Sequence, residues 1–235
     1  MTTRHTALTG IVLALAASVT VADEISFPSG DRQSIGSSYS LTPLQASDVD
    51  GDGDLDLVTG ADSSVSWWEN PGSIGMGWIE HVVDGTIHHV TGVAAADIDR
   101  DGDLDVLSSV SFEDEIAWHE NLGGGAAWVK HTVDTAVDGA SSVCAADIDG
   151  DGDLDLVATA FDGNAIGWWS NDDGLALSWS AHPIDASVGG ARSGLVADID
   201  GDGDLDVAAV AFSDQVVSWW ENTTGAGSVW TCLLY

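Results

Sequence analysis

Four times along the chain the residues run Asp, Val or Ile, Asp, one variable residue, then Asp-Gly-Asp-Leu-Asp, beginning at Asp48, Asp97, Asp147 and Asp198. Each string holds five carboxylates within nine residues. Carboxylates this crowded repel one another and weaken a fold unless a cation sits among them. With Asp at positions 1, 3, 5 and 9, a Gly at position 6 for a sharp turn and a main-chain carbonyl at position 7, the string offers hard oxygens at the spacing Ca2+ uses. In the first string the side-chain ligands are Asp48, Asp50, Asp52 and Asp56, with Asp54 giving its carbonyl. The second offers Asp97, Asp99, Asp101 and Asp105 with Asp103, and the third Asp147, Asp149, Asp151 and Asp155 with Asp153. The fourth offers Asp198, Asp200, Asp202 and Asp206 with Asp204. Up to four ions are expected, one per string.

Calcium is favoured over magnesium because it accepts a flexible shell of oxygens, whereas Mg2+ demands a near-ideal octahedron and sheds water reluctantly. Transition metals are disfavoured because no His or Cys enters the strings. A solvated acidic turn would explain one such string but not four in register. The strings begin as an EF-hand loop does and end differently. Position 12, where a bidentate Glu would stand, holds Thr59, Ser108, Ala158 and Ala209, and both flanks read as strands. The ion is therefore expected to pin a β-turn in each repeat, a structural role. Arg100 takes the position that is Gly51, Gly150 and Gly201 elsewhere; it is expected to pair with a neighbouring carboxylate and to compete with calcium in its loop.

These loops sit in repeats whose starts are 49, 50 and 51 residues apart. A second column follows each string at Trp67-Trp68-Glu69-Asn70, Trp118-His119-Glu120-Asn121, Trp168-Trp169-Ser170-Asn171 and Trp219-Trp220-Glu221-Asn222. A third is Trp78, Trp128, Trp179 and Trp230, with His81, His131 and His182 three residues after the first three. Within the second repeat, Gly92 to Ala96, Val106 to Val110, Glu115 to His119 and Trp128 to Val133 read as strands, separated by Gly, Asp and Asn clusters. Four short strands per repeat at this period indicate an all-β protein, a β-propeller built from four-stranded blades. A Trp recurring in every blade is expected in the core between blades. Alternation sends the second Trp of each pair to the opposite face, so that column is expected to be partly exposed and His119 to be the most solvent-tolerant of it. The recurring His81, His131 and His182 are expected to be structural.

The four strings, Asp48 to Asp56, Asp97 to Asp105, Asp147 to Asp155 and Asp198 to Asp206, resemble the FG-GAP or VCBS repeats, calcium-loop propeller units also similar to those of integrin α-chain heads. The resemblance spans about residues 40 to 235 and implies one Ca2+ per loop. The Phe-Gly and Gly-Ala-Pro dipeptides of the family are missing, with Gly60-Ala61-Asp62 nearest to the latter, so the chain is closer to the VCBS type. Repeats are expected at about 40–89, 90–139, 140–190 and 191–235. Family propellers usually carry more blades, and Leu233 stands where the other repeats have His, so a partial or truncated propeller is expected. The alternative is a four-bladed ring whose last blade is completed by a strand from the N-terminal segment 23–39.

Residues 1–22 read as a secretory signal peptide: an apolar run from Ala7 to Val21, too short to span a membrane, ends in small residues before Asp23. An uncleaved anchor is the alternative. With 39 Asp plus Glu against 5 Lys plus Arg, net charge −34, the protein should repel nucleic acid and anionic membranes, and no membrane insertion is expected after signal removal. Yet 44% of residues are hydrophobic and 11 are Trp, which argues against disorder. Twenty of the 39 acids lie in the four strings. Cys144 and Cys232 form no disulfide framework, and Cys144 is expected to pack rather than react. His88-His89, Glu113-Asp114-Glu115, Lys130 and Arg192 form no nucleophile, base and orienter set, so no catalytic residue is expected. The expected role is a secreted calcium-binding module for extracellular binding or adhesion, with a protein or glycan ligand. The alternatives are a lectin stacking sugars on Trp68 and Trp169, or the non-catalytic propeller of a larger extracellular carbohydrate-active enzyme.

Overall fold

The computed structural model describes residues 43–72 and 77–234, all within one compact unit spanning Ile35–Tyr235. Every described element is a strand, and the strands group into four sheets of four. The first sheet runs β1 (Leu44–Ser47), β2 (Asp56–Gly60), β3 (Val65–Glu69), β4 (Ile79–Asp84), and the second β5 (Val90–Ala96), β6 (Asp105–Val110), β7 (Glu115–Asn121), β8 (Trp128–Asp134). The third runs β9 (Ala140–Ala146), β10 (Asp155–Ala160), β11 (Ala165–Asn171), β12 (Trp179–Asp185), and the fourth β13 (Ala191–Ala197), β14 (Asp206–Ala211), β15 (Val216–Asn222), β16 (Trp230–Leu234). In each sheet the strands lie in sequence order, all antiparallel. The first strands of successive sheets lie side by side, β1 by β5, β5 by β9 and β9 by β13. These are propeller-like blades, innermost strand first, as the sequence predicts. The fourth blade carries its own last strand in β16, so it needs no strand from segment 23–39; that segment and residues 1–22 lie outside the described residues.

Burial explains the composition of each strand. β6 and β10 are buried at every position, because a middle strand is covered on both faces by neighbouring blades, and their few polar residues, such as Asp105, Ser108 and Thr159, are buried with the apolar ones. The outer strands β8 and β12 keep charged and polar residues toward solvent. One apolar cluster fills each junction: Val49, Val58, Val65 and Trp67 meet Ile87, Val90, Val106 and Val110 between blades 1 and 2. The next two junctions repeat the pattern around Trp118 and Trp168.

The first Trp of each pair crosses the junction. The indole N–H of Trp67 donates to the Gly125 carbonyl at 3.3 Å, that of Trp118 to Ala176 at 3.2 Å and that of Trp168 to Gly227 at 3.1 Å. On the other side His81, His131 and His182 stack on Trp67, Trp118 and Trp168 with ring centroids 4.3 to 4.4 Å apart. His81 and His131 also bond Glu69 and Glu120. The histidines clamp the indoles, in agreement with the structural role read from their recurrence.

The second column departs from expectation. Trp68, Trp169 and Trp220 are buried, and His119 is only 1% exposed. Strand alternation does turn this column to the opposite face, but that face meets the neighbouring blade's connecting segment instead of water. Trp169 and Trp220 donate their indole N–H to Asp134 and Asp185 at 2.9 and 3.0 Å, while Trp68 donates to Thr59. His119 instead bonds Ser108 at 3.1 Å. Asp84, the counterpart of Asp134 and Asp185, is left with a buried, unpartnered Oδ2. Burial pushes the His119 pKa down to about 4, so the ring is neutral at physiological pH. Trp68 and Trp169, at 8% and 7% exposed, present little surface to a sugar.

Candidate metal centres

Each acidic string forms a tight loop between the first and second strands of a blade. Its turns are closed by the string's own side chains: Asp50 Oδ1 accepts from the N–H of Asp52 at 3.1 Å, Asp52 Oδ1 from that of Asp54 at 2.9 Å, and Asp48 Oδ2 from that of Gly53 at 3.0 Å. The Asp-to-Asp closures recur in the other three loops. Position 6 has φ between 96° and 102° in all four loops, a region open to Gly and closed to residues with a Cβ.

The aspartate at position 9 anchors the loop. Asp56, Asp105, Asp155 and Asp206 are all at most 1% exposed. One oxygen of each accepts from the N–H of residue 2 of its own string (Val49, Ile98, Ile148, Ile199), the other from the N–H of the Asn closing the third strand (Asn70, Asn121, Asn171, Asn222), all at 2.8 to 3.0 Å. A carboxylate keeps further lone pairs beyond these two bonds. Burial raises the pKa of Asp105 to about 7 and of Asp155 to about 6, outweighing the two N–H donors that pull it down, and the nearby string carboxylates add to the rise. Asp50, Asp99 and Asp149 are raised as well, burial first and neighbouring carboxylates after it.

The structure brings ligand oxygens of positions 1, 3 and 9 within 4.8 Å of one another as Asp48, Asp50, Asp56, as Asp147, Asp149, Asp155 and as Asp198, Asp200, Asp206. In the second loop the converging set is Asp97, Asp99 and Asp101. Asp48 Oδ1 and Asp97 Oδ1 are buried without any hydrogen-bond partner, the condition of an oxygen waiting for a cation. The donor set is all carboxylate and carbonyl oxygen, which suits a hard ion such as Ca2+. The residues fit the group. Of the expected side-chain ligands, Asp52, Asp105, Asp151 and Asp202 lie outside these triads. The carboxylates of Asp54, Asp153 and Asp204 lie against the backbones of Gly72, Gly174 and Gly225, where a Cβ would collide with them. Position 7 is thus left with its main-chain carbonyl for the loop.

Two contributions escaped sequence reading. Glu221 joins Asp200 and Asp202 in a second acidic set at the fourth loop; its counterparts Glu69 and Glu120 are engaged by histidine, and blade 4 has Leu233 there. The Trp-Trp-Glu-Asn column carried the signal, but only the strand register shows that its Glu faces the loop. Arg100 pairs with Asp153 of the following loop, so its partner lies across the junction and its charge bears on the third loop as well as its own. It holds φ +67° where the other loops place Gly.

Asp-rich loops between the first two strands of four-stranded blades define an acidic-loop, propeller-like repeat. The FG-GAP-like repeat model matches residues 48–108, 109–158 and 147–209, and the chain belongs to this family. No curated protein matches it in sequence. Among solved structures it is similar to an Agrocybe aegerita lectin specific for non-reducing terminal N-acetylglucosamine, at 21% identity and TM-score 0.53, over 81% of this chain and 52% of the lectin. It is also similar to the NanB sialidase of Streptococcus pneumoniae, at 14% identity and TM-score 0.51, over 73% of this chain and 28% of the sialidase. The chain thus spans about half of the lectin and less of the sialidase, and at these identities the likeness is one of fold.

Proposed function

We propose that the protein is a secreted, calcium-stabilised propeller that serves as an extracellular binding or adhesion module and carries no catalysis of its own. The observation that carries this reading is the buried, partnerless oxygen of Asp48 and Asp97 at the centre of converging carboxylates. Such loops are stable only where calcium is plentiful, as it is outside cells, where modules of low affinity suffice. Among the described residues no helix is long and apolar enough to cross a membrane. When bound, calcium supplies the positive charge that the loops lack. The chain's part is to hold the oxygens, through the two N–H groups on each position-9 Asp and the left-handed glycine at position 6.

The ligand seat we assign is an open cavity of about 820 Å3 lined by residues of the first strands of all four blades. Its wall combines Phe112 and Phe161 with Ser193, Asp62, Asp162 and Arg192. Phe112 is 75% exposed, and Arg192 is the one Lys or Arg among the described residues without an ion pair. Exposed aromatic faces beside hydroxyl, carboxylate and guanidinium groups suit a glycan, and the size is that of a small-molecule site. The lectin among the similar folds supports a glycan ligand, and the burial of Trp68 and Trp169 favours this cavity over stacking on those two rings. Binding to a glycan array and to a panel of extracellular proteins, with calcium or with chelator, tests it. Calcium-dependent binding lost in Phe112→Ala and Arg192→Ala is expected; binding indifferent to both chelator and these substitutions would refute it.

A further inference from the structure

Each internal blade junction uses the same two faces, and the two end blades present one of each uncovered. Residue 2 of the string is buried by the following blade in the first three repeats: Val49, Ile98 and Ile148 are all 1% exposed, whereas Ile199 of blade 4 is 41% exposed. On the third strand Val65, Ile116 and Ile166 are at most 1% exposed, and their counterpart Val217 is 66% exposed. Trp219, aligned with the three indoles that donate across a junction, is half-buried and its N–H has no hydrogen-bond partner among the described residues. Blade 4 thus carries the whole face that elsewhere receives a next blade.

Blade 1 presents the complement. In blades 2, 3 and 4 the Asn of the third strand is at most 1% exposed, and its Nδ2 donates back to the preceding blade: Asn121 to the Val49 carbonyl at 3.2 Å, Asn171 to Ile98 at 3.4 Å, Asn222 to Ile148 at 3.1 Å. Asn70 is half-buried and its Nδ2 donates only to Leu55 of its own loop. Leu55 is 61% exposed, while its counterparts Leu154 and Leu205 pack against junction clusters. Among the described residues no hydrogen bond and no apolar cluster joins blade 4 to blade 1, so the two end faces do not close on each other.

We propose that a second copy of this chain occupies both faces, blade 4 of each copy packing on blade 1 of the other. In that contact Asn70 of one copy donates to the Ile199 carbonyl of the other, and Val217 and Trp219 are covered as Ile116 and Trp118 are. A contact between two different faces closes when the rotation fits, and two such contacts make a ring of eight blades. The faces are apolar, so the acidic exteriors oppose assembly only through screened charge at physiological salt.

Sedimentation equilibrium of the calcium-loaded chain over a range of concentrations tests this. The expected mass is twice that of the 24.2 kDa chain. Val217→Lys and Val217→Asp should each weaken self-association ~100-fold or more, as truncation of a central interface anchor does. Val217 is 66% exposed in the single chain and lies outside the acidic loops, so circular dichroism and the melting temperature at low concentration should not move. A single-chain mass at every concentration, or a dimer indifferent to both substitutions, would overturn the proposal.

Discussion

Asn121→Ala probes the junction between blades 1 and 2 more sharply than any apolar deletion, because the side chain is fully buried and makes four hydrogen bonds. Its Nδ2 donates to the carbonyls of Val49 and Leu104 at 3.2 and 3.1 Å, and its Oδ1 accepts from the N–H of Gly123 and Gly125 at 3.1 and 2.9 Å. A net hydrogen bond contributes about 1 kcal/mol, and a buried group left without a partner costs more, so the substitution should cost about 4 kcal/mol. Asn70→Ala is the internal control. It removes one donation to Leu55 and one acceptance from Gly72 at a half-buried site, which should cost about 1 kcal/mol. Urea unfolding in saturating calcium reads the difference. With m of about 2 kcal/mol/M, the midpoint should fall by about 2 M for Asn121→Ala and about 0.5 M for Asn70→Ala. Equal shifts for the two variants would refute the claim that burial at the junction makes this Asn worth more than its blade 1 counterpart.

Protonation supplies a second test. The folded-state pKa of Asp105 is raised to about 7 and that of Asp155 to about 6, so in chelated protein their contribution is fully present below about pH 4 and is lost as pH rises through 6 to 7. The gap in melting temperature between calcium-loaded and chelated protein should widen from pH 5 to pH 8; a constant gap would contradict it. His119 behaves oppositely. Its pKa is lowered to about 4, so its contribution is present above about pH 6.5 and is lost as pH falls through 4. His119→Trp should remove that acid sensitivity, offer an indole N–H to the partnerless Asp84 oxygen, and raise stability at pH 7 by about 1 to 2 kcal/mol; a destabilised variant in urea unfolding would count against the pairing. Arg100→Gly relieves a left-handed backbone and removes a cation beside two loops, and should tighten calcium binding there by roughly fivefold, about 1 kcal/mol, measured by calorimetric titration.

The blades were legible because each strand's period and each loop's Gly and Asp were written four times. The second repeat's strands fall within two residues of where alternation places them. The face of the second Trp column was not legible. Alternation gives a side, but whether that side meets water depends on the connecting segment of the preceding blade, which carries Asp84, Asp134 and Asp185. The ligand strings were visible as strings; the role of Asp56 and its counterparts as doubly bonded anchors depends on Asn70, Asn121, Asn171 and Asn222, sixteen or fewer residues downstream in sequence but adjacent only after the second and third strands fold back on each other. The same holds for Glu221, whose approach to the fourth loop follows from β15 lying beside β14.

Calorimetric titration of chelator-stripped protein with Ca2+ tests the central claim most directly. The account predicts four saturable sites per chain, falling to three in Asp50→Asn and again to three in Asp149→Asn, with Mg2+ unable to substitute. Absence of saturable binding, or a stoichiometry unchanged by either substitution, would contradict it.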